Sequence, residues 1–450
     1  MAYRIPGVLA VWFLLSISLT VRLFAADFPY LAGTAKVEIT PDYPIMLSGY
    51  ASRGLQEVSE TIQPLYARAL AVGEPGKLPV VLMMVDNCGV PASVSDAVSR
   101  ELMAKYQIPR ANLAVCATHT HYAPMLSGVL QNLPARPIPP EKQQAIDRYT
   151  DEFVKALVKA ASVAIESRQP ARLEFAIGEV GFAANRRTAG GPTDHQLPLL
   201  TVYDANDKVR SLVVGYACHC TTIAATPAFI GDWAGYAAEY LEREYPGAVA
   251  LAVIGCGGDQ NPNPRGKLEF AQQYGHAIRD EVVRLMGEPM RPINGEISTQ
   301  LENIPLRFAE LPTLDQWREM AKESGINGFY AGKYVQRIEA GEVIPTHLDY
   351  PVQSWTFADD LTIVFLGGEV TVDYSLRLKR MAPAGKLWVA AYSNDVRTYV
   401  PSARVLKEGG YEGGGSRIWY DHPQVFAGEI EESIIGEVER QLPSLVPKVE

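Results

Sequence analysis

No lysine- or arginine-rich run occurs anywhere in the 450-residue chain, and 41 basic side chains face 51 acidic ones for a net charge of −10. That balance excludes nucleic acid as an expected partner. Cysteine is scarce and odd in number: Cys88, Cys116, Cys218, Cys220 and Cys256 all lie in or beside apolar runs. A disulfide scaffold is thereby excluded, and buried small hydrophobes are expected. The Cys218-His219-Cys220 triplet is not a convincing thiolate site, because on a strand both thiols face away from the imidazole. No GK[ST] follows the glycines at 257 and 258, so a phosphate loop is absent. Neither GxSxG nor HExxH is present, which removes support for a serine elbow or a thermolysin-type helix. No internal repeat is visible.

What remains is 47% hydrophobic and 20% charged, with 37 glycines and 32 prolines, the composition of a folded globular chain rather than a disordered or fibrous one. Residues 1–26 read as a cleaved secretory signal: Arg4, an uncharged stretch from Val8 to Val21, then Arg22 and the small pair Ala25 and Ala26. The stretch falls short of the roughly 20 apolar residues of a membrane span, so export is expected. Residues 27–450 are expected to form one domain. Leu133–Pro140 and Gly409–Gly415 are predicted as surface loops, the second flexible, and neither is long or polar enough for a linker.

Strand-length apolar runs recur between helical patterns, which predicts an α/β fold. Strands are predicted at Val80–Val85, Leu113–Ala117, Ser211–Ala217, Val249–Gly255, Leu361–Leu366 and Leu387–Tyr392. Helices are predicted at Ala92–Gln107, Ala145–Arg168, Trp233–Tyr245, Leu268–Met286, Leu314–Lys322, Val370–Arg380 and Val425–Leu442. Ligands in such folds gather at the carboxyl ends of strands, so the residues that follow each strand carry the functional reading.

Leu113–Ala117 is followed by His119 and His121. Two histidines at spacing two on an extended segment point the same way and can reach one point in space. With only seven histidines in the chain, this pair is the strongest local signal. His219 follows the Ser211 strand. Asp259 follows the glycines after Val249–Gly255, where it can orient a histidine or cap a turn. Glu369 follows Leu361–Leu366, as a helix-start charge or as a third ligand. Two histidines and one glutamate are the composition that holds catalytic zinc with a position left for water. Ser393, Asn394, Asp395 and Tyr399 follow the last strand.

These residues resemble the neutral/alkaline non-lysosomal ceramidase family, secreted zinc amidohydrolases that split N-acylsphingosines. The resemblance runs in order through GTAKVEITP from Gly33, LSGYASR, LYARALAV, ATHTHYAP, the NRR of Asn185–Arg187, GDWAGYAAEYLE, GGDQNPN, LGGE and YVPSARVLKEGGYEGG. It implies a mixed-sheet, multilayer catalytic domain. It implies zinc held by His119, His219, Glu369 and Tyr399, with His121 beside the substrate as a proton-handling or oxyanion-contacting group. Arg186 and Tyr411 are implied to bind and polarise the scissile amide, and His121 or Asp259 to carry the proton to the leaving amine. Two departures stand out. Asn261 occupies the place of the family's serine, which removes a serine nucleophile and keeps a metal-water route. The family's C-terminal sandwich domain is also not expected here. The expected partner is a small-molecule or lipid N-acyl substrate. A metal-dependent esterase or phosphoesterase, with His195 and Asp194 as an orienting pair, and a metal-retaining binding protein remain as alternatives.

Overall fold

Val80–Val85 is apolar at every position because it is buried on both faces: Val81, Met83 and Val85 enter one core while Val80, Leu82 and Met84 enter another. The same division holds for Leu113–Ala117, with Leu113, Val115 and Ala117 on one side and Ala114 and Cys116 on the other. A strand covered on both faces has no polar side to show. In the computed structural model, which describes residues 28–443, these strands belong to a nine-stranded mixed sheet. The expected signal segment lies outside the described residues.

The sheet runs from Val249–Ile254 at one edge through Val209–Tyr216, Gln196–Asp204, Gln169–Glu179, Tyr30–Glu38, Tyr66–Gly73 and Val80–Val85 to Leu113–Ala117 at the other, with the ninth strand, Arg291–Ile293, paired to Gln169–Glu179. Two pairs are parallel: Val209–Tyr216 with Val249–Ile254, and Val80–Val85 with Leu113–Ala117. Its two limbs join where Tyr30–Ala32 pairs with Gln169–Ala171, and they curl until Val249–Ile254 lies close to Val80–Val85 and Leu113–Ala117. Buried alanines, among them Ala67, Ala69, Ala250 and Ala252, keep that region thin.

Helices Ala92–Tyr106, Pro140–Glu166, Asp232–Glu244 and Leu268–Met286 cover one face, each through an apolar stripe such as Ile146, Tyr149, Phe153 and Leu157. Against the other face packs a four-stranded sheet of Ile297–Arg307, His347–Phe357, Leu361–Leu366 and Leu387–Ala390, through Trp355, Phe357, Phe365 and Trp388. Helix Ile430–Gln441 lies on its outer side. The result is the multilayer mixed α/β architecture expected.

The predicted strands and helices all form, with shifted ends. The long helix begins at Pro140 rather than Ala145, since proline lacks only an N–H that the first turn cannot use. One expectation is corrected outright. Residues 410–413 form a short helix, not a flexible loop, and residues 415–418 a 3₁₀ turn. Glu412 in that helix is buried and bonded to two arginines, which fixes it.

The strand ends are knitted together by the segment after Leu387–Ala390. Ala391 N–H donates to the Ile254 carbonyl at 2.9 Å, Ala117 N–H to the Tyr392 carbonyl at 3.0 Å, and Asn394 N–H to the Val115 carbonyl at 2.6 Å. The carboxyl ends of strands from both sheets therefore meet at one place.

Away from that place, the limb and its helix cover are tied by a buried ion network. Arg68 Nη1 lies 3.1 Å from Asp86 Oδ2, and its Nε lies 3.1 Å from Glu242 Oε1. Removing the guanidinium leaves the buried Asp86 carboxylate without its counter-charge, holding only the Tyr66 N–H. Arg68→Ala is expected to cost about 3–5 kcal/mol in urea unfolding. Lys36→Ala, whose more exposed amine meets the same Glu242, is expected to cost less than about 1 kcal/mol.

Candidate active site

His119 follows its strand in the left-handed region, with φ of 57°, so the segment is kinked rather than extended as the spacing alone predicts. The kink still brings the two imidazoles together, with His121 Nε2 3.1 Å from His119 Nε2. Thr120 bridges to Cys220 in parallel fashion, and the His121 N–H donates to the Cys220 carbonyl. That pairing sets His219 beside His119, ring centroids 4.6 Å apart. Glu369 and Tyr399 are brought side by side because Glu369–Val370 and Tyr399–Val400 pair in parallel with those two residues in register. A Cβ on Gly258 would lie 2.6 Å from the Glu369 carbonyl oxygen, so only glycine allows this approach.

Glu369 Oε2 lies 3.0 Å from His119 Nε2 and 3.0 Å from His219 Nε2. Each imidazole uses its other nitrogen on a backbone carbonyl: His119 Nδ1 donates to Cys88 O at 2.5 Å, and His219 Nδ1 to Gly257 O at 2.7 Å. These bonds place the proton of each neutral ring on Nδ1 and leave Nε2 as a lone-pair donor. Two lone pairs and a buried carboxylate oxygen without a hydrogen-bond donor thus converge. Such a set is stable only around positive charge.

A proton on His119 can supply that charge in place of a metal ion. Burial works to lower the pKa of His119, but the neighbouring Glu369 outweighs it and lifts it to about 10. Burial together with the Arg186 charge takes His219 down to about 4, so it is neutral at pH 7. Glu369 is held well below the usual carboxylate range, against burial, by the two imidazoles. The three donor atoms lie within 4.8 Å of one another. Their chemistry and spacing fit a bound metal ion.

Around this trio the other expected residues fall into two groups. Tyr399 hydroxyl lies 3.1 Å from His219 Nε2 and accepts from Arg186 Nη2 at 3.0 Å. Arg186 Nη1 is 3.3 Å from His219 Nε2, while its Nε donates to Glu412 Oε1 at 2.7 Å. Tyr411 is 46% exposed, its ring 5.3 Å from that of Tyr399, which makes it a wall of the entrance. His121 Nδ1 is buried and has no hydrogen-bond partner among the described residues, and burial followed by the two other histidines keeps its pKa well below the ordinary value.

Asp259 stands apart. Its Oδ1 accepts from Val372 N–H at 2.8 Å and its Oδ2 from Asn185 Nδ2 at 3.1 Å, while its carbonyl accepts from Arg186 N–H at 2.8 Å. It bonds the first N–H of helix Val372–Met381 and anchors the Ala183–Asn185 strand instead of orienting a histidine. His195 and Asp194 are likewise spent elsewhere: His195 Nε2 bonds to the Ala183 carbonyl, and Asp194 to Ser375 and Lys379.

Several site residues escaped the residue-by-residue reading. Tyr420 donates to Glu369 Oε1 and fixes the carboxylate. Glu412 holds Arg186 and Arg187. A Cβ on Gly49 would meet the His121 ring at 2.4 Å; Tyr50 packs edge-on against the same ring at 4.8 Å, and Arg53 Nη1 donates to the His121 carbonyl at 2.6 Å. The LSGYASR segment is therefore the wall behind His121. For Tyr420, one tyrosine among 22, no local signal existed.

Residues 30–267 match the family model described as neutral/alkaline non-lysosomal ceramidase, N-terminal. His119, His121, Arg186 and His219 lie inside that span, and Glu369, Tyr399 and Tyr411 beyond it. No curated protein matches the chain. Among solved structures, a ceramidase described as complexed with C2 is 20% identical with a TM-score of 0.72, over 94% of this chain and 77% of that one. The neutral ceramidase from Pseudomonas aeruginosa is 20% identical with a TM-score of 0.71, over 94% of this chain and 76% of its own. With the model matched over more than half its length and the fold shared over nearly all of it, the chain belongs to the neutral/alkaline non-lysosomal ceramidase family and is a ceramidase-like hydrolase.

Proposed function

We propose that the protein is an exported, zinc-dependent amidohydrolase that splits the amide bond of ceramide or a related N-acyl compound with water. The observation that carries the reading is the buried Glu369 oxygen, 3.0 Å from the Nε2 atoms of both His119 and His219, whose Nδ1 protons are already spent. His119, His219, Glu369 and the Tyr399 phenol would hold the ion, a nitrogen- and oxygen-donor set suited to zinc. Bound there, zinc supplies Lewis-acid polarisation of a carbonyl and lowers the pKa of its water to about 7.

The chain's own groups supply the rest. Arg186 is fixed on one side by Glu412 and on the other by Tyr399, so its guanidinium is aimed before substrate arrives and serves a developing oxyanion without reorganising. Tyr411 adds a phenol at the entrance. His121 is neutral at pH 7, and its Nε2, 3.1 Å from His119 Nε2, faces the site and can take a proton and return it to the leaving amine. Asn261 offers no nucleophile, which leaves water in that role. Export rests on the character of residues 1–26; among the described residues no helix is long and apolar enough to cross a membrane.

Elemental analysis of the purified protein should find about one zinc per chain, and His119→Ala and Glu369→Ala should lose it; near-stoichiometric zinc in both variants would refute these ligands. Tyr420→Phe should keep the site but weaken its hold on metal by about 10–100-fold in a chelator competition. A short-chain fluorescent ceramide and a simple acyl ester, each with and without chelator, separate amidase from esterase. Amide turnover should vanish with chelator, and Arg186→Ala should lower kcat by about a hundred- to a thousand-fold with zinc content unchanged. Silence on both substrates would favour a metal-retaining binding protein.

A further inference from the structure

A cleft of about 680 Å³ opens beside Arg186 and Asn261. Arg186 Nη1 is 3.3 Å from His219 Nε2, so this cleft adjoins the reaction centre. Its polar lining is Arg186, Arg265, Asn185, Asn261, Asn263 and Thr193, and its apolar lining is alanine, glycine and proline only. No carboxylate is among the described residues that line it. Arg186 has its counter-charge in Glu412. Arg265, on the exposed rim, has no hydrogen bond or ion pair among the described residues. In a chain of net charge −10, the space next to the metal donors is locally positive.

That lining is poor for an alkyl chain, whose burial needs large apolar neighbours to displace water at about 25 cal/mol per Å². An apolar groove of about 730 Å³ does exist, walled by Ile62, Ile223, Ile230, Leu268 and Phe270, but neither Arg186, Asn261, Tyr411 nor any metal donor lines it. The lining beside the site suits an anion instead: an unpaired guanidinium with amide and hydroxyl groups around it. Asn261 contributes directly. Its Oδ1 accepts from Arg186 Nη1 and Thr221 Oγ1, each at 3.4 Å, which leaves its Nδ2 hydrogens as donors on the cleft.

We propose that the cleft selects amides that carry a carboxylate near the scissile bond, N-acyl amino acids being the simplest, and that Arg265 pairs with that carboxylate. This rests on the amide-hydrolase reading above. The reaction itself is unchanged: water adds across the amide, the C–N bond breaks, hydroxyl goes to the acyl carbon, and a proton goes to the departing amine.

The test uses the zinc-loaded protein and four probes: an N-acylglycine, the matching N-acylglycinamide, an N-succinyl alkylamine with its carboxylate on the acyl side, and a short-chain ceramide. One or both carboxylate probes should exceed the glycinamide and ceramide in kcat/KM by about tenfold, the value of one charge-assisted contact. Arg265→Ala should raise KM for the favoured acid by about tenfold and erase its advantage, with Arg265→Lys restoring part of it. Ceramide or glycinamide turned over as well as the better of the two acids, or an Arg265→Ala variant that keeps the full preference, would overturn the proposal while leaving amide hydrolysis intact. Calorimetric binding of N-acylglycine against N-acylglycinamide reads the selection without turnover. Selective binding with no hydrolysis would support the cleft assignment and sink the hydrolase reading; equal binding would sink the cleft assignment.

Discussion

The whole arrangement depends on two hydrogen bonds from imidazole to main chain. Because the Cys88 and Gly257 carbonyls accept from Nδ1 of His119 and His219, each ring in its neutral form turns an Nε2 lone pair toward the Glu369 oxygen. Three buried electron-rich atoms in that relation repel one another unless a cation stands between them, since the surrounding core supplies little solvation. The carbonyls can do this only where the sheet limbs curl together and the Ala391–Asn394 segment locks their ends. Fold closure and site geometry are thus one constraint.

Much of this was legible in the sequence, for an identifiable reason. Strands buried on both faces, such as Val80–Val85 and Leu361–Leu366, appear as unbroken apolar runs with sharp ends, and the chemistry-bearing residues come directly after them. His119, His219 and Glu369 could be found by that rule. Other strands were not found by it, including Tyr66–Gly73 and Gln196–Asp204, which are buried on both faces. Ile297–Arg307 and His347–Phe357 pair over their full lengths, yet the first alternates in burial and carries glutamate and asparagine among its apolar residues. Gln169–Glu179 opens on Gln169 and Pro170, which read as the end of a helix rather than the start of a strand.

Within the site, the limit of sequence reading was contact rather than pattern. Asp259 looked available because it follows glycines at a strand end, but availability depends on what its oxygens already hold, and that is set by Asn185 and Val372 far away in the chain. The glycine-rich stretch at 409–415 looked loose for the same reason: local composition cannot show that Glu412 will be claimed by Arg186 and Arg187. The resemblance to the ceramidases supplied Arg186 and Tyr411, which no spacing argument would have chosen, and gave Tyr399 its role.

The grip of Glu412 on Arg186 spans 226 positions of sequence. During synthesis the histidines at 119 and 219 emerge well before the glutamates at 369 and 412, so a nascent chain presents imidazoles long before it owns the carboxylates that steady them. Competence for chemistry must therefore wait until the segment that carries Glu412 has left the ribosome, because the ion pair that steadies Arg186 cannot form before then.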